Sequence, residues 1–563
     1  MSTPKNRAVL GVNAFSHDAA AALIVDGRLV FAASEERYDR VRHSRAFPRG
    51  AVRAALQHAG LSPGELDAVA FPWLRDMARL RRALYFLLRF PRSLPFLLQR
   101  PDGLPARLSH LRQVAGLQHE LERCGITAPV TYVDHHRAHA QQAYAFGPSD
   151  GAAVLTADGM GEWASASTWR GGGERLTPLA RRNYPHSLGK VYAAVTQHLG
   201  FLPEADEGKT MGLAAYGREA LLERFRSVLA PNRRRLFRVR TAAFDYPLGH
   251  TALGGARFAR LFGAAREPES AIAPAHEDLA FAAQAVLEEV VLSICSDLRA
   301  STGLKHLGLA GGIFLNCALN GRLLRESGFD SIWAFPAAGD GGAAVGAAAQ
   351  VAGMPRTPLQ HVFLGDAFGQ AEIDRALGDR PRRLVSSPAG YAAEALARGR
   401  FVGWFQGRME FGPRALGARS ILADPRSPEV RDRLNRDVKF REQFRPFAPA
   451  VLLEAAGDWF VNARPSPHMM FTFQARPRSR DLIPGVVHVD GSARVQTVGP
   501  GDGNPAFRRL LEAFARSTGV PVLLNTSLNV RGEPIVRTPE QALALFDKSG
   551  LDVLVLEDRV ITK

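Results

Sequence analysis

The chain of 563 residues holds three cysteines, Cys124, Cys295 and Cys317. They form no CxxC pair and are too few for a disulfide framework. A reducing cytoplasm is the expected setting, and any metal site must be built from histidine and carboxylate. Long uninterrupted apolar runs are also missing. The most apolar stretch, 84–99, carries Arg89, Pro91, Arg92 and Pro95, which excludes a membrane span there. The opening MSTPKNRAVLGVNAF lacks the basic start, long apolar run and small-residue cleavage site of an export signal; residues 7–13 read as a strand. There is no low-complexity segment. With 46% hydrophobic and 22% charged residues, a chain this long buries more than one core and needs no disulfide or structural metal to fold.

What is present in excess is positive charge, a formal +16. Nucleic acid, an anionic membrane surface and anionic small molecules compete to explain it. The basic residues are spread along the chain instead of gathered in a tail, which favours small anions over nucleic acid.

Two segments look like a distant repeat. Residues 8–36 read as strand, polar turn, strand, Asp26-Gly27 and strand, and Asp-Gly between apolar runs signals a hairpin. Residues 152–173 again show strand, Gly-rich turn, alternating strand and glycine turn. Two such units, each followed by helices, predict a duplicated α/β domain of the kind found in actin-like and Hsp70-like ATPases, whose paired turns grip phosphate with backbone N–H groups. A core helix is expected over 277–299, and strands over 401–405 and 520–524. Periodicity fades at 353–365, so the expected organisation is a first domain over 1–352, a linker over 353–365 and a second α/β domain over 366–563. Residues 72–109 fit neither half and read as an insertion.

Four features of the first domain carry chemistry. In Asp134-His135-His136-Arg137-Ala138-His139, a helix puts His135 and His139 at i and i+4, on one face. They either share a metal or lie as polar groups on a helix surface, and Arg137 stands where a zinc protease has its glutamate. Asp158 and Asp340 sit in glycine turns after apolar strands, where a carboxylate faces a cleft or bonds its own backbone. Two imidazoles and two carboxylates suit Fe²⁺, Mn²⁺, Zn²⁺ or Mg²⁺. Gly311-Gly312 with Asn316 and Asn320 reads as a nucleotide cradle or a tight strand-to-helix turn. His17, beside Asp18, is placed to act as a general base or to cap its turn. Gly159, and Lys209 in a segment without the Walker glycine pattern, are further phosphate or substrate contacts.

The second domain gathers cations. Arg408, Arg414 and Arg419 lie among glycines after a strand, followed by Lys439, Arg441 and Arg445, then Arg494 and Gln496, then Asn525, Ser527 and Arg531. Arginine binds phosphate through paired N–H bonds, each charge-assisted bond contributing roughly 1.5–3 kcal/mol. Interleaved glycine and proline argue against a regular solvated helix and for an anion site.

In this order the motifs resemble the O-carbamoyltransferase family, which includes the tobramycin, cephamycin and nodulation-factor carbamoyltransferases. The resemblance spans nearly the whole chain, through His17-Asp18, Ser34 to Arg37, His135/His139, Asp158-Gly159, Gly208 to Gly217, Gly311 to Asn320, Asp340, Gly412 to Gly417, Arg445 to Pro449, Asn525 to Ser527 and Arg531 to Pro534. It implies a Kae1-like (actin-like) first domain and a YrdC-like second domain, with carbamoyl phosphate and ATP giving carbamoyl adenylate in the second. It further implies that His135, His139, Asp158 and Asp340 bind a divalent metal, Fe²⁺ favoured, and that His17 is the base toward the acceptor hydroxyl. Gly311, Gly312, Asn316 and Asn320 then hold nucleotide, and Lys439, Arg441, Arg445, Arg494, Asn525 and Ser527 hold carbamoyl phosphate and ATP, with Arg414 and Arg419 in the same group. The expected partner is a small-molecule hydroxyl acceptor from secondary (antibiotic) metabolism; a homo-oligomer is allowed. The rival readings are an enzyme of the tRNA threonylcarbamoyl-adenosine type, suggested by the charge, and a non-enzymatic actin-like nucleotide-binding protein.

Overall fold

The computed structural model describes residues 7–74, 84–89, 116–248, 252–353 and 356–563. Most of the expected insertion at 72–109 lies outside them. Two compact units form, one of Met1–Glu35 with Arg45–Pro358 and one of Glu36–Ser44 with Leu359–Lys563. Nothing in the sequence signals that Glu36–Ser44 belongs with the C-terminal unit.

In the first unit β1 (Ala8–Asn13) is buried along its whole length, as a strand covered on both faces must be. Asp26 and Gly27 both take positive φ, 50° and 72°, closing the expected hairpin between β2 (Ala20–Val25) and β3 (Arg28–Ser34). With β4 (Ala68–Phe71) and β5 (Val130–Tyr132), these strands make a sheet of order β3-β2-β1-β4-β5. β1 is antiparallel to β2 and parallel to β4.

The second sheet repeats this plan. β6 (Gly151–Ala157), β7 (Ala164–Gly172) and β8 (Arg175–Asn183) form an antiparallel run. After a short β9–β10 hairpin (Leu229–Asn232, Leu236–Val239), β11 (His306–Ala310) and β12 (Ser331–Ala334) add in parallel. The order β8-β7-β6-β11-β12 is the first sheet's connectivity over again, so the duplication expected from the sequence is present in the topology.

Each repeat closes with a helix after its last strand, His135–Ala145 in the first and Asp340–Ala352 in the second. Asp340 therefore opens a helix instead of standing in a glycine turn. The two helices cross at backbone contact: a Cβ on Gly346 would stand 1.9 Å from the Ala138 carbonyl oxygen. This is why the second helix reads DGGAAVGAAAQVA, a composition easily mistaken for a turn. The expected core helix runs over Pro274–Thr302. It is long and apolar enough to cross a bilayer, but 61% of its apolar window is buried in the unit, with Leu279, Val286, Val290, Ile294 and Leu298 in the core.

The second unit is built on an eight-stranded mixed sheet of order β13-β22-β21-β14-β15-β20-β16-β19. Its centre is β14 (Val402–Phe405), β15 (Arg419–Ala423), β20 (Val522–Ser527), β16 (Ala448–Leu452) and β19 (Gln496–Val498). The outer strands on one side are β21 (Val553–Leu556), β22 (Arg559–Thr562) and β13 (Arg383–Leu384). A separate two-stranded piece pairs β17 (Thr472–Gln474) with β18 (Ser492–Arg494).

Because the Gly346 contact is with backbone, no side-chain movement can relieve it. Gly346→Val is expected to destabilise the first unit by about 3 kcal/mol, the upper end of overpacking costs, and to lower its melting temperature in thermal denaturation. An unchanged melting temperature would show that the helices can part without loss.

Candidate functional site

The helix crossing sets the first site. The Asp134 carboxylate accepts from the Arg137 backbone N–H at 2.9 Å and caps the helix, so His135 is its first residue and His139 follows one turn later on the same face. Both imidazoles are fully buried, which removes the reading of surface histidines. Their Nε2 atoms stand 3.1 Å apart. Asp158, at the end of β6, places Oδ2 3.4 Å from His135 Nε2 and 3.1 Å from His139 Nε2. Asp340, at the helix start, places Oδ1 3.5 and 3.7 Å from the same atoms. The ligand atoms of the four residues all lie within 4.8 Å of one another.

The outer nitrogens decide what the inner ones can do. His135 Nδ1 lies 3.2 Å from the Pro72 carbonyl oxygen, which only accepts, so Nδ1 carries the hydrogen. His139 Nδ1 lies 3.2 Å from Gln142 Oε1. The Gln142 amide is oriented by its Nε2, which donates to the carbonyls of Ala337 and Ala338 at 3.2 and 3.3 Å. In the neutral rings both Nε2 atoms are then lone pairs facing each other, an arrangement that a shared cation or a proton would satisfy. Burial opposes imidazolium, but Asp340 and Asp158 outweigh it, holding His135 well above its ordinary pKa and His139 above it. Burial likewise works against the Asp158 carboxylate, and the two histidines overcome it, pushing Asp158 well below its usual range. This donor set fits a divalent ion of the Fe²⁺, Mn²⁺ or Zn²⁺ type. His136 belongs to the frame: burial and its neighbouring imidazoles push it down to about 3, and its ring meets Thr156 Oγ1 at 2.8 Å and the Ala164 carbonyl at 3.1 Å.

Several residues of this site escape a reading of the sequence. Trp73 stacks on the His135 ring at a centroid distance of 4.0 Å, and its indole N–H donates to Asn13 Oδ1 at 3.1 Å. Asn13 donates in turn to the carbonyls of His17 and Asp18 at 2.9 and 3.0 Å, tying the first turn to the histidine–aspartate cluster. Glu162 accepts from the backbone N–H of Leu74 at 2.8 Å and of His135 at 3.2 Å. Gln142 has a signal, its spacing of three from His139; Trp73 has none, being far from the histidines in sequence.

The remaining predicted residues of this unit divide. His17 Nδ1 and Asp18 Oδ2 lie 2.9 Å apart, and Asp18 lies beside Gly339 and Gly341 at the start of the Asp340 helix. Gly311, at φ 100°, and Gly312 turn directly against Ala157 and Asp158; a Cβ on Gly312 would stand 3.1 Å from Asp158 Oδ1. The Gly311-Gly312 turn thus borders the histidine–aspartate cluster. Gly159 caps Asp158 through its N–H, at 2.6 Å from Oδ1. Asn316 and Asn320 make contacts within the protein. Asn316 Oδ1 caps the helix Cys317–Glu326, its Nδ2 donates to Gln284 at 2.8 Å, and Asn320 Nδ2 donates to the Phe314 carbonyl at 2.8 Å. Lys209 Nζ lies 3.0 Å from Asp206 Oδ2.

In the second unit, cations collect around one face of the sheet. Lys439 ends a π-helical turn, Asn435–Lys439, and its Nζ donates to the carbonyls of Ser527 and Asn529 at 2.8 and 2.7 Å and to Asn529 Oδ1 at 2.6 Å. Burial, Arg441 and Arg445 push its pKa well down; burial, Arg445 and Arg494 do the same to Arg441. Glu442 is the acid among them, with Arg445 and Arg531 each 3.7 Å away. Asn525 Nδ2 donates to Gln496 Oε1 at 2.7 Å and to the Ala415 carbonyl at 3.3 Å, which brings in the loop that carries half-buried Arg414. Among the described residues Arg494 Nε and Asn525 Oδ1 are buried without a hydrogen-bond partner; a bound anion would accept from Arg494 Nε.

Arg419 does not join this group. In β15 Ser420 pairs with Ser527 and Leu422 with Asn525, so the period of two sends Arg419 to the opposite face. There it is fully buried, its guanidinium 3.5 Å from the Phe405 ring centroid, and Nη1 donates to the carbonyls of Gln406 and Ala418. A strand-end arginine among glycines cannot be assigned a face until the strand's register is known. Glu410, buried, pins the same loop by accepting from the backbone of Leu416 at 2.7 Å.

These features agree with what the chain resembles. Residues 8–349 match the family model described as "Carbamoyltransferase N-terminus", and residues 393–563 that described as "Carbamoyltransferase C-terminus". The chain is 41% identical to an uncharacterised protein of Synechocystis, covering 99% of this chain and 96% of that one. It is 36% identical to nodulation protein NolNO of Sinorhizobium fredii, over 98% and 80% of the two chains. With nodulation protein U of Rhizobium tropici the identity is 32%, over 92% and 90%. Among solved structures, HypF of T. kodakarensis aligns at a TM-score of 0.32 and 14% identity, over 63% of this chain and 48% of that one. The chain belongs to the carbamoyltransferase family and is a carbamoyltransferase enzyme, the family expected from its ordered motifs.

Removing a hydrogen-bond partner of a metal-binding histidine typically costs 10–100-fold in metal affinity. Gln142→Leu is therefore expected to weaken Mn²⁺ binding by about that factor with the fold intact, read by equilibrium dialysis and circular dichroism. Unchanged affinity would separate Gln142 from the histidine pair.

Proposed function

We propose that this carbamoyltransferase uses ATP and carbamoyl phosphate to carbamoylate a hydroxyl group of a small-molecule acceptor, in two steps on two units. The observation that carries the reading is the cationic group of the second unit, in which buried Lys439 stands with half-buried Arg441, Arg445 and Arg494. Burial, Arg441 and Arg445 hold Lys439 well below its ordinary pKa, burial, Arg445 and Arg494 do the same to Arg441, and Arg494 Nε has no hydrogen-bond partner among the described residues. Repulsion among crowded, partly desolvated cations is relieved by an anion, and a small phosphate dianion has the charge and the acceptor oxygens for it.

In this reading the second unit is the YrdC-like activating domain. Water opens carbamoyl phosphate to carbamate and phosphate; a carbamate oxygen then attacks the α-phosphorus of ATP, giving carbamoyl adenylate and releasing pyrophosphate. The basic group holds the phosphates and offsets the charge that develops on them. The mixed anhydride is needed because a carbamoyl group is a weak electrophile and an alcohol a poor nucleophile.

The first unit is then the actin-like transfer domain. Gly311 and Gly312 let the backbone approach the nucleotide beside Asp158. His135, His139, Asp158 and Asp340 would hold a divalent ion, Fe²⁺ being favoured by the family resemblance, whose charge neutralises the departing phosphate. With Nδ1 held by Asp18, His17 Nε2 is the nitrogen assigned to the acceptor's proton. The acceptor oxygen forms its bond to the carbamoyl carbon as the bond to AMP breaks. The expected acceptor is a hydroxylated secondary metabolite.

Two measurements test this. Purified protein with labelled ATP and carbamoyl phosphate, without acceptor, is expected to release pyrophosphate and form an AMP-linked carbamoyl product. Arg494→Ala is expected to lower that activity on the order of 100-fold, the loss of a charge-assisted pair. Nucleotide turnover indifferent to carbamoyl phosphate would end the donor assignment.

The second measurement is a pH profile. Burial lowers the His17 pKa, but Asp18, Asp340 and Glu204 outweigh it and raise it to about 9. A base must be deprotonated to act, so kcat/KM for transfer should rise with pH toward that value. Asp18→Asn removes the main group that raises the pKa, so the acid limb should move to lower pH. A limb that stays in place would remove His17 from the role of base.

A further inference from the structure

The segment Glu36–Ser44 is the one stretch of N-terminal sequence that belongs to the C-terminal unit, and neither the reaction nor the anion site above gives it a task. It is compact and internally braced. A short helix, Glu36–Asp39, is followed by Arg40 and His43 in the left-handed region at φ 62° and 54°. Glu36 accepts from the His43 backbone N–H at 3.0 Å, and Asp39 from the Val41 backbone N–H at 2.9 Å. Left-handed backbone at two non-glycine residues costs free energy and persists where the surroundings determine it.

Its side chains reach the two loops that carry the anion site. Arg37, buried, donates through Nη2 to the Gly412 carbonyl at 2.9 Å, two residues from Arg414. Gly412 and Gly417 both take positive φ, 120° and 103°, a backbone path that favours glycine; Glu410 holds the Leu416 end of the loop and Arg37 the Gly412 end. Arg40 donates through Nη1 to the Ile535 carbonyl and through Nη2 to the Pro534 carbonyl, each at 2.7 Å. Those carbonyls close the loop whose Ser527 and Asn529 receive Lys439. Tyr38 Oη donates to Asp366 Oδ2 at 2.9 Å, and the same oxygen accepts from Arg537 Nη1 at 2.9 Å, with the Arg537 guanidinium 4.6 Å from the Tyr38 ring centroid.

We infer that Arg37, Tyr38 and Arg40 are positioning residues for the donor reaction, holding the Gly412–Gly417 and Asn525–Ile535 loops in the geometry that binds carbamoyl phosphate. The fork of Arg40 matters because it spans two successive carbonyls at once, which an ammonium does not do. The inference rests on the anion-site reading of the second unit. It adds that this site is completed by a segment from the other end of the sequence.

The test uses the full chain and the acceptor-independent, carbamoyl-phosphate-dependent release of pyrophosphate, with KM, kcat and melting temperature measured together. Arg40→Ala is expected to raise KM for carbamoyl phosphate by about tenfold or more while the melting temperature moves little, and Arg40→Lys to fall between it and the native protein. A lowered melting temperature with native KM and kcat in Arg40→Ala would make the segment structural only and overturn the inference. If Arg40→Ala does not fold, Tyr38→Phe, which deletes one hydroxyl, decides by the same KM criterion. Arg494→Ala separates the two levels. If it leaves KM unchanged, the anion-site reading fails and this inference with it; if it raises KM and the Arg40 variants do not, this inference alone fails.

Discussion

Two imidazole nitrogens held 3.1 Å apart repel each other when both present lone pairs, and the packing of the first unit keeps them there. The pair arises because one helix opens at His135 and because a second helix, opening at Asp340, crosses it at backbone contact. That crossing demands small residues, and the demand accounts for the glycine- and alanine-rich run from 340 to 352. The carbonyl of Pro72 and the amide of Gln142 then fix the tautomers, so the rings cannot relieve the repulsion by turning a hydrogen inward.

The duplication explains why a cluster with four members forms at all. Each repeat supplies the turn after its first strand and the start of the helix after its last strand. The turns carry His17-Asp18 and Asp158-Gly159; the helix starts carry His135 and Asp340. Superposed connectivity brings equivalent positions of the two repeats to one place, and the Gly311-Gly312 turn after β11 lands against Asp158 as part of the same convergence. The second unit gathers cations: β20 directs Ser527 and Asn525, and β19 directs Gln496, to one face, where Lys439 meets Ser527.

Where local pattern and local geometry coincide, the sequence could be read. The Asp26-Gly27 hairpin, the repeat of strand and turn, the pairing of His135 with His139 and the clustering of basic residues near Asn525 were all visible, because each depends on spacing of a few residues. What could not be read depends on distant packing. Trp73 reaches His135 across 62 residues of sequence. Asp340 looked like a turn residue because helix crossing, not propensity, selects its glycines. Arg419 shares a glycine-rich stretch with Arg414 and still faces away from Asn525, since the register of β15 against β20 decides its side. Asn316 and Asn320 have the spacing of nucleotide ligands; in the fold the Asn316 amide bonds Gln284 and the Asn320 Nδ2 bonds the Phe314 carbonyl. The attachment of Glu36–Ser44 to the C-terminal unit is likewise invisible in its own composition.

The shared cation is the point on which the account stands, and electron spin-echo spectroscopy on the Mn²⁺-loaded full chain addresses it directly. The account predicts one bound ion per chain with modulation from two imidazole nitrogens, reduced to one in His139→Ala. An ion without imidazole coupling, or modulation unchanged in His139→Ala, would contradict it.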